Sequence, residues 1–566
     1  MLERLRTRLA CPDALPLLAA LGLASGLLAG GVIMLFRLVI EGAQSSFLPD
    51  GGTENYEALS ASLRFLIPTL GGLLIGLLFH YAGGVQVGVV HILERLAYNQ
   101  GQLPLRNAVF QFIGAAISLV SGHSVGREGP GIHLGAASGS LLGQSLHLPN
   151  NNLRILVACG AAASIAASFN TPLAGVIFAM EVILMEYTIA GFTPVILAAV
   201  SATALNRLVF GPEPAFSVPP LQLGSLLELP YLLVMGVVMG ALAAAFIGLL
   251  QRVTVWGQGI PLWQRLTLAG AFTGACAVAV PEIMGIGYDT VNHAMLGQLG
   301  MGLLVAIVLV KLIATTAGLG LGLPGGLMGP TLVIGAAAGG VLGLGAESLF
   351  PGQASSPGFY AMLGAGAMMG ATLQAPLAAL MALLELTNNP NIILPGMLAV
   401  ILSGIVSSHV FGRGPVFLML LRARGLDYRN DPVAQSLRRV GVAGACNTAF
   451  VRASRQIDTA AARKLLKGDP LWILVEQEGR PVSLLLAADL ARHLASATEE
   501  TALDLLEFPA HREDVAPIES RATLQQALEV MNESGLDTLY VVSSSGPKQT
   551  GIAGIITRQA IEAHYR

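Results

Sequence analysis

The sequence predicts an all-α polytopic membrane domain, built from an inverted repeat with many short broken helices, followed by a small cytoplasmic α/β tail. Three observations carry this reading. The chain is 54% hydrophobic and only 11% charged, well below the ~25% charged residues of a soluble domain. A Gly-rich stretch near residue 130 returns 200 residues later. From about residue 430 charges become frequent and the apolar runs shorten.

Apolar segments fill 14–40 and 63–82, run almost unbroken from 106 to 206, and resume from 231 to 423 after the Pro-rich break at 210–230. The first run follows Arg4, Arg6 and Arg8 and is too long for a secretory signal. It reads as a membrane helix with its N-terminus in the cytoplasm. Arg413, Arg422, Arg424 and Arg429 surround the last segment, which places that end inside as well, so the number of full crossings is even. Segments such as 129–144 and 172–184 are shorter than the ~20 residues of a perpendicular span and are fenced by Gly or Pro. Such segments in both halves of a chain suggest discontinuous helices that meet near mid-bilayer. The 68 glycines exceed the usual ~7% and fit close helix packing. Cys11, Cys159, Cys276 and Cys446 are scattered, with neither metal-site spacing nor a disulfide framework. Net charge is −3, and no basic stripe suggests nucleic acid as a partner.

The repeat is specific. "GREGPGIHLGAASG" (126–139) aligns with "GLMGPTLVIGAAAG" (326–339), sharing Gly126, Gly129, Pro130, Gly135, Ala136, Ala137 and Gly139. "TPLAGVIFAME" (171–181) aligns in the same order with "APLAALMALLE" (375–385). This gives a membrane domain over 1–425, with repeats at about 60–210 and 230–425, and a tail over 426–566. The tail reads as two copies of one βαββα unit, about 445–497 and 502–566. In the second copy a helix carries Leu524, Ala527, Leu528 and Met531 on one face, followed by strands Thr538–Val542 and Ile552–Ile556.

Gly126, Gly129 and Pro130 break the backbone and open a helix whose first N–H groups stay free. That terminus is partially positive and suits an anion. Gly326, Gly329 and Pro330 supply a second one. Partial charges hold an anion without trapping it, which conduction requires. Glu128 stands at the first terminus, where an ionisable group inside a membrane is functional by default; the alternative is a structural carboxylate paired with Arg127. Glu181 and Glu385 end their copied helices at equivalent positions and share a structural task, capping or bonding neighbouring backbone. His123 and His133 read as polar packing residues.

These motifs, "GREGP" (126–130) with "FNTPLAGVIFAME" (169–181), "LPGGLMGP" (323–330) and "APLAALMALLELT" (375–387), resemble the CLC family of chloride channels and chloride/proton exchangers over roughly residues 15–425. The tail resembles the paired cystathionine-β-synthase-type (CBS) modules of many members. The resemblance implies chloride or a similar anion as substrate, a homodimer with one pore per subunit, no enzymatic activity, no metal and no cofactor. It also implies that Glu128 is the gate. Gly126, Arg127, Gly129, Gly326, Leu327, Met328 and Gly329 would line the anion path, with Val87, Gly88 and Phe417 at its central site.

Three positions depart from the family. In "QVGVV" (86–90) Val87 stands where a serine hydroxyl is expected, and Phe417 stands where a tyrosine is expected. The anion among chloride, fluoride, bromide and nitrate is therefore left open. Val182 replaces the inward-facing glutamate of the exchangers, with Glu186 the nearest substitute. Val182 tilts the reading toward a passive voltage- or pH-gated chloride channel; the alternatives are a chloride/proton antiporter with a non-standard proton route, or a transporter of fluoride or nitrate. An adenosine nucleotide on the tail would need Thr and Asp in one Thr-x-x-Asp stretch. Here Asp489 lacks its Thr (Leu486) and Thr557 lacks its Asp (Ala560), so a docking and dimerising tail without ligand stands beside the nucleotide sensor. An intramembrane hydrolase at "GHS" (122–124) and a cation-coupled transporter explain less.

Overall fold

The computed structural model describes residues 9, 14–212, 216, 223–351, 354–426, 431–496, 502–543 and 551–565. Arg4, Arg6, Arg8, Cys11, Arg429 and much of the Pro-rich break lie outside the described residues. The chain forms two compact units. One comprises Ala19–Ser145 with Arg154–Tyr428, the other Met1–Leu18, Leu146–Leu153 and Arg429–Arg566.

The first unit holds, in chain order, α1 (Leu15–Phe47), α2 (Ala61–Tyr81), α3 (Val89–Tyr98), α4 (Leu105–Val120), α5 (Glu128–Ser145), α6 (Asn150–Phe169), α7 (Pro172–Phe178) and α8 (Ile189–Phe210). There follow α9 (Leu229–Gly257), α10 (Leu262–Ala279), α11 (Tyr288–Met295), α12 (Met301–Gly320), α13 (Met328–Leu349), α14 (Pro357–Leu373), α15 (Pro376–Thr387), α16 (Ile393–Ile405) and α17 (Val416–Ala423). Among the described residues, eight helical stretches are long and apolar enough to cross a membrane. The protein is a multi-pass membrane protein.

The duplication extends into backbone detail. After α4 the chain turns at Gly122 (φ +73°), and after α12 at Gly322 (φ +100°). After α6 it turns at Asn170 (φ +59°), and after α14 at Gln374 (φ +54°), in each case just before the proline that opens the next helix. Proline suits a first turn because its missing N–H would find no partner there. The copies differ at their ends. α7 runs into a π-helical turn, Ala179–Leu184, whereas α15 stays α-helical to Thr387.

The shared small residues bring helices into contact. A Cβ on Gly160 of α6 would collide with the carbonyl of Gly135 on α5, and one on Gly364 of α14 with the carbonyl of Gly335 on α13. Close backbone approach of this kind is how membrane helices gain packing energy where lipid supplies no hydrophobic drive. Gly135 and Gly335, which occupy the same position in the two copies of the repeat, are thus packing residues. The two repeats also exchange caps. Glu385 accepts from the N–H groups of Leu173 (2.9 Å) and Ala174 (2.8 Å) at the start of α7. Glu181 accepts from Leu377 (3.3 Å) and Ala378 (2.9 Å) at the start of α15. A carboxylate satisfies free N–H groups and their partial charge together, which is the structural task expected of this pair.

In the second unit, β1 (Phe450–Ser454) and β3 (Trp472–Gln477) are parallel and β3 forms a hairpin with β4 (Arg480–Leu486), beside a short ladder of β2 (Gln456–Ile457) and β5 (Leu503–Asp504). The second copy repeats the pattern with β6 (Arg512–Glu519), β7 (Thr538–Ser543) and β8 (Gly551–Thr557). The larger sheet runs β1-β3-β4-β6-β7-β8. In the second copy Thr523 and Gln526 form a capping box on the helix Leu524–Ser534, and Leu524, Ala527 and Met531 pack on Leu539, Val541 and Ile556. Alternation of apolar residues in the strands and 3.6-residue periodicity in the helix face the same core.

If the α5–α6 crossing is as tight as the backbone indicates, Gly160→Ala lowers the unfolding free energy by about 1–3 kcal/mol, the usual cost of overpacking. Gly302→Ala, where a Cβ meets nothing within 4 Å, leaves it unchanged. Thermal unfolding of both purified variants checks this; equal melting temperatures would contradict the packing role.

Candidate anion-binding site

The centre of the first unit is a junction between its repeats. Gly126 and Gly326 pair in a single antiparallel bridge, each N–H donating to the other's carbonyl at 2.7 Å. A Cβ on Gly129 would lie 2.6 Å from Gly326 Cα, so a side chain there would force the two loops apart. This arrangement brings the N-terminus of α5 against that of α13, the two termini that the sequence motif predicts.

Glu128, 1% exposed, sends its carboxylate between them. Oε2 accepts the Gly329 N–H at 3.2 Å, and Oε1 accepts the Tyr288 hydroxyl. Oε2 also lies where a Cβ of Gly126 would be, so the carboxylate needs a glycine at that position as well. Arg127 turns elsewhere. Its Nη1 lies 3.4 Å from Glu41 Oε1, its Nη2 donates to the Ser168 carbonyl at 3.3 Å, and its guanidinium stands 5.4 Å over the Tyr288 ring. Glu128 is therefore held by a backbone N–H and a phenol rather than by an Arg127 ion pair.

Two cavities approach this point. One, of about 330 Å³, is walled by Val87, Gly88, Gly129, Gly326, Met328 and Phe417, with Leu327 alongside. Val87, Gly88 and Phe417, placed by weak sequence similarity alone, thus come together with the second loop. No serine, threonine or tyrosine is among the described residues lining it, so no side-chain hydroxyl is offered beside Val87, Gly88 and Phe417, where backbone groups remain, including the start of α3 after Gly88 (φ +86°). The other cavity, of about 420 Å³, contains Arg37, Glu41, Glu54, Arg127, Tyr288 and Asp289. The predicted set is divided accordingly. Arg127 borders the second cavity, Val87, Gly88 and Phe417 the first, and Gly126 and Gly329 lie at the carboxylate between them.

Val182 is 6% exposed and lies in the π-helical turn after α7. Glu186, the nearest substitute carboxylate, lies off this helix. The helix ends at Leu184, Met185 is left-handed (φ +56°), and the Glu186 N–H folds back to the Met180 carbonyl. His133 and His91 share a hydrogen bond of 2.9 Å, and His123 bonds the Ser118 carbonyl at 3.0 Å. Ser124 pairs with Thr315 at 2.9 Å rather than with His123, which leaves the hydrolase reading without a nucleophile–base contact. In the tail, Asp489 accepts from the His511 N–H (3.2 Å) and pairs with Arg492 (3.1 Å). Thr557 caps its own helix through the Ala560 N–H at 3.3 Å. Both nucleotide half-signatures are thus occupied with local bonds.

Residues 70–408 match the sequence model of the family described as "Voltage gated chloride channel". A "Putative chloride channel protein ClcB-like" from Ralstonia nicotianae is 36% identical over 384 residues, 66% of this chain and 89% of the relative. The chain belongs to the voltage gated chloride channel (CLC) family. An "H(+)/Cl(-) exchange transporter ClcA" from Vibrio cholerae is 32% identical over 321 residues, 55% of this chain and 68% of the relative. The crystal structure of a slow cyanobacterial Cl⁻/H⁺ antiporter superposes with a TM-score of 0.64 at 24% identity, covering 72% of this chain and 97% of that one. At that identity the likeness shows the CLC fold. Anion transport is the activity of the family, and its members are transporters and channels rather than enzymes.

Sequence reasoning missed Tyr288 and Glu54. The signal for Tyr288 is "GIGYDT" (285–290), where left-handed Gly285 (φ +60°) and Gly287 (φ +84°) bend a polar turn into the apolar interior. Glu54 sits half-buried in the 48–60 loop and accepts the Tyr288 N–H at 3.3 Å. Burial first, then Asp289, push its carboxyl up to about 7, with Arg127 pulling the other way. Glu54 is therefore charged above about pH 7 and neutral below it, so acidification removes a negative charge from the second cavity.

A hydrogen bond to a charged group contributes about 1.5–3 kcal/mol. Tyr288→Phe is accordingly expected to raise anion flux at neutral pH severalfold by loosening the seated carboxylate, and to have no such effect in a Glu128→Gln background. Flux unchanged by Tyr288→Phe in the native background would contradict this. In a pH series from 5 to 9, native anion flux is expected to rise as the pH falls through about 7, where Glu54 loses its charge, and Glu54→Gln should remove that rise; an identical profile would show that this charge is irrelevant to anion entry.

Proposed function

We propose that this protein is a chloride/proton antiporter in which Glu128 is both the gate of the anion path and the group that carries the proton. The observation that supports this reading is the seat of its carboxylate, between two helix N-termini, on the Gly329 N–H, where two cavities converge. Ionised, the carboxylate fills the place of an anion. Protonated, it loses its attraction to the partial positive charge and leaves the place to chloride. Proton binding and anion binding therefore exclude one another at one site, which is the physical requirement for exchange. The relatives named as chloride/proton exchangers support antiport over the passive conductance that Val182 alone suggests.

A buried valine cannot relay a proton, so the route must be water. The cavity that contains Val87 and Phe417 reaches Gly129, one residue from the gate. By the positive-inside rule, Arg422 and Arg424 put that cavity on the cytoplasmic side, with both termini cytoplasmic. The central site holds the anion on backbone N–H groups, the working unit is a homodimer with one pore per subunit, and the tail is a pair of CBS modules that dock without a nucleotide.

In proteoliposomes a chloride gradient should drive uphill proton movement, and Glu128→Gln should abolish proton movement while anion flux continues. Rapid chloride flux with no proton movement in the native protein would establish a channel instead.

A further inference from the structure

The cavity containing Val87 and Phe417 has a feature that backbone coordination of chloride does not use. Among the described residues lining it, only Gln86, Arg265 and Arg424 have polar side chains, and two of these are guanidinium groups. Arg265, on α10, has a buried Nε with no hydrogen-bond partner, and among the described residues its side chain makes one hydrogen bond, a 3.5 Å approach of Nη1 to the Gly257 carbonyl. Its side chain is nevertheless closely approached by backbone. A Cβ on Gly257 would lie 3.2 Å from Arg265 Cδ, and one on Gly322, which is left-handed, would lie 3.0 Å from Nη2. Two glycines therefore make room for this side chain.

Arg424 follows α17 and forms no ion pair among the described residues. Arg424 and Arg265 line the same cavity, so two cations face one space. Glu94 is already engaged by the Gln86 amide, at 2.6 Å with the amide oriented to satisfy both groups. Two like charges facing one cavity, one with an unpartnered buried N–H, leave a demand for negative charge.

We propose that Arg265 and Arg424 form a binding site for a phosphate-class oxyanion, which occupies the cavity and restrains chloride passage. A guanidinium presents planar, paired N–H donors that match two oxygens of a phosphate bidentately, one oxygen to each donor, whereas a halide offers a single acceptor atom. A volume of about 330 Å³ falls in the range of small-molecule sites. The occupant stands against Gly326, Met328 and Phe417, in front of the anion path. The regulatory consequence rests on the transport reading above; the binding itself does not.

The test is calorimetric titration of inorganic phosphate into the purified full-length protein in a neutral detergent, alongside chloride titration. A second arm measures chloride flux in phosphatidylcholine vesicles with and without phosphatidylglycerol, to distinguish free phosphate from a lipid headgroup. Native protein is expected to bind phosphate, or to be slowed by phosphatidylglycerol. Arg265→Gln and Arg424→Gln should each weaken that effect at least tenfold, with chloride affinity unchanged. Because Arg265 is tightly enclosed, Arg424→Gln, at an exposed position, keeps the test valid if Arg265→Gln fails to fold. Absence of both effects in native protein, or effects that survive in Arg424→Gln, would overturn the proposal.

Discussion

The structure of the membrane unit depends on one contact, the reciprocal pairing of Gly126 with Gly326. Two backbone hydrogen bonds of 2.7 Å hold the loops of the two repeats together, and everything at the site follows from the distance they impose. With Gly129 against Gly326, the N-termini of α5 and α13 meet, and the Glu128 carboxylate occupies the space between them. Unsatisfied N–H groups inside a bilayer are expensive. The Glu128 carboxylate, the glutamate caps of α7 and α15 and the paired glycines all answer the same requirement.

Charge is graded along the path. Full charges, Arg127 with Glu41 and Glu54 in one cavity and Arg265 with Arg424 in the other, stand back from the junction. At the junction itself the ligands are N–H groups and one phenol. That separation suits transport, because a full cation at the narrowest point would bind the anion too firmly to release it. Glu128 is the exception, and its charge is one that a proton removes.

Much of this was legible in the sequence because it is duplicated. The 200-residue offset identified both loops and the prolines that open α5 and α13, and a second alignment, offset by 204 residues, matched the roles of Glu181 and Glu385. Strict periodicity made the second tail copy readable nearly residue by residue, with the expected Thr538–Val542 strand appearing as Thr538–Ser543. What was not legible lies outside the repeat or depends on long-range approach. Tyr288 reaches Glu128 from 160 residues away, and no local pattern encodes that contact. Gly135 and Gly126 carry the same letter in one motif, yet one allows helices to cross and the other allows loops to pair. Glu186 is near Val182 in sequence, but Met185 turns left-handed and takes it off the helix.

The central claim is that the Glu128 carboxylate and the transported anion compete for one place between α5 and α13. The most direct measurement is anomalous diffraction from crystals of Glu128→Gln grown in bromide. The account predicts a bromide peak within hydrogen-bond reach of the Gly329 N–H, with the glutamine side chain displaced from the seat that the glutamate occupies. A glutamine still seated on Gly329, with no bromide between the two helix termini, would contradict it.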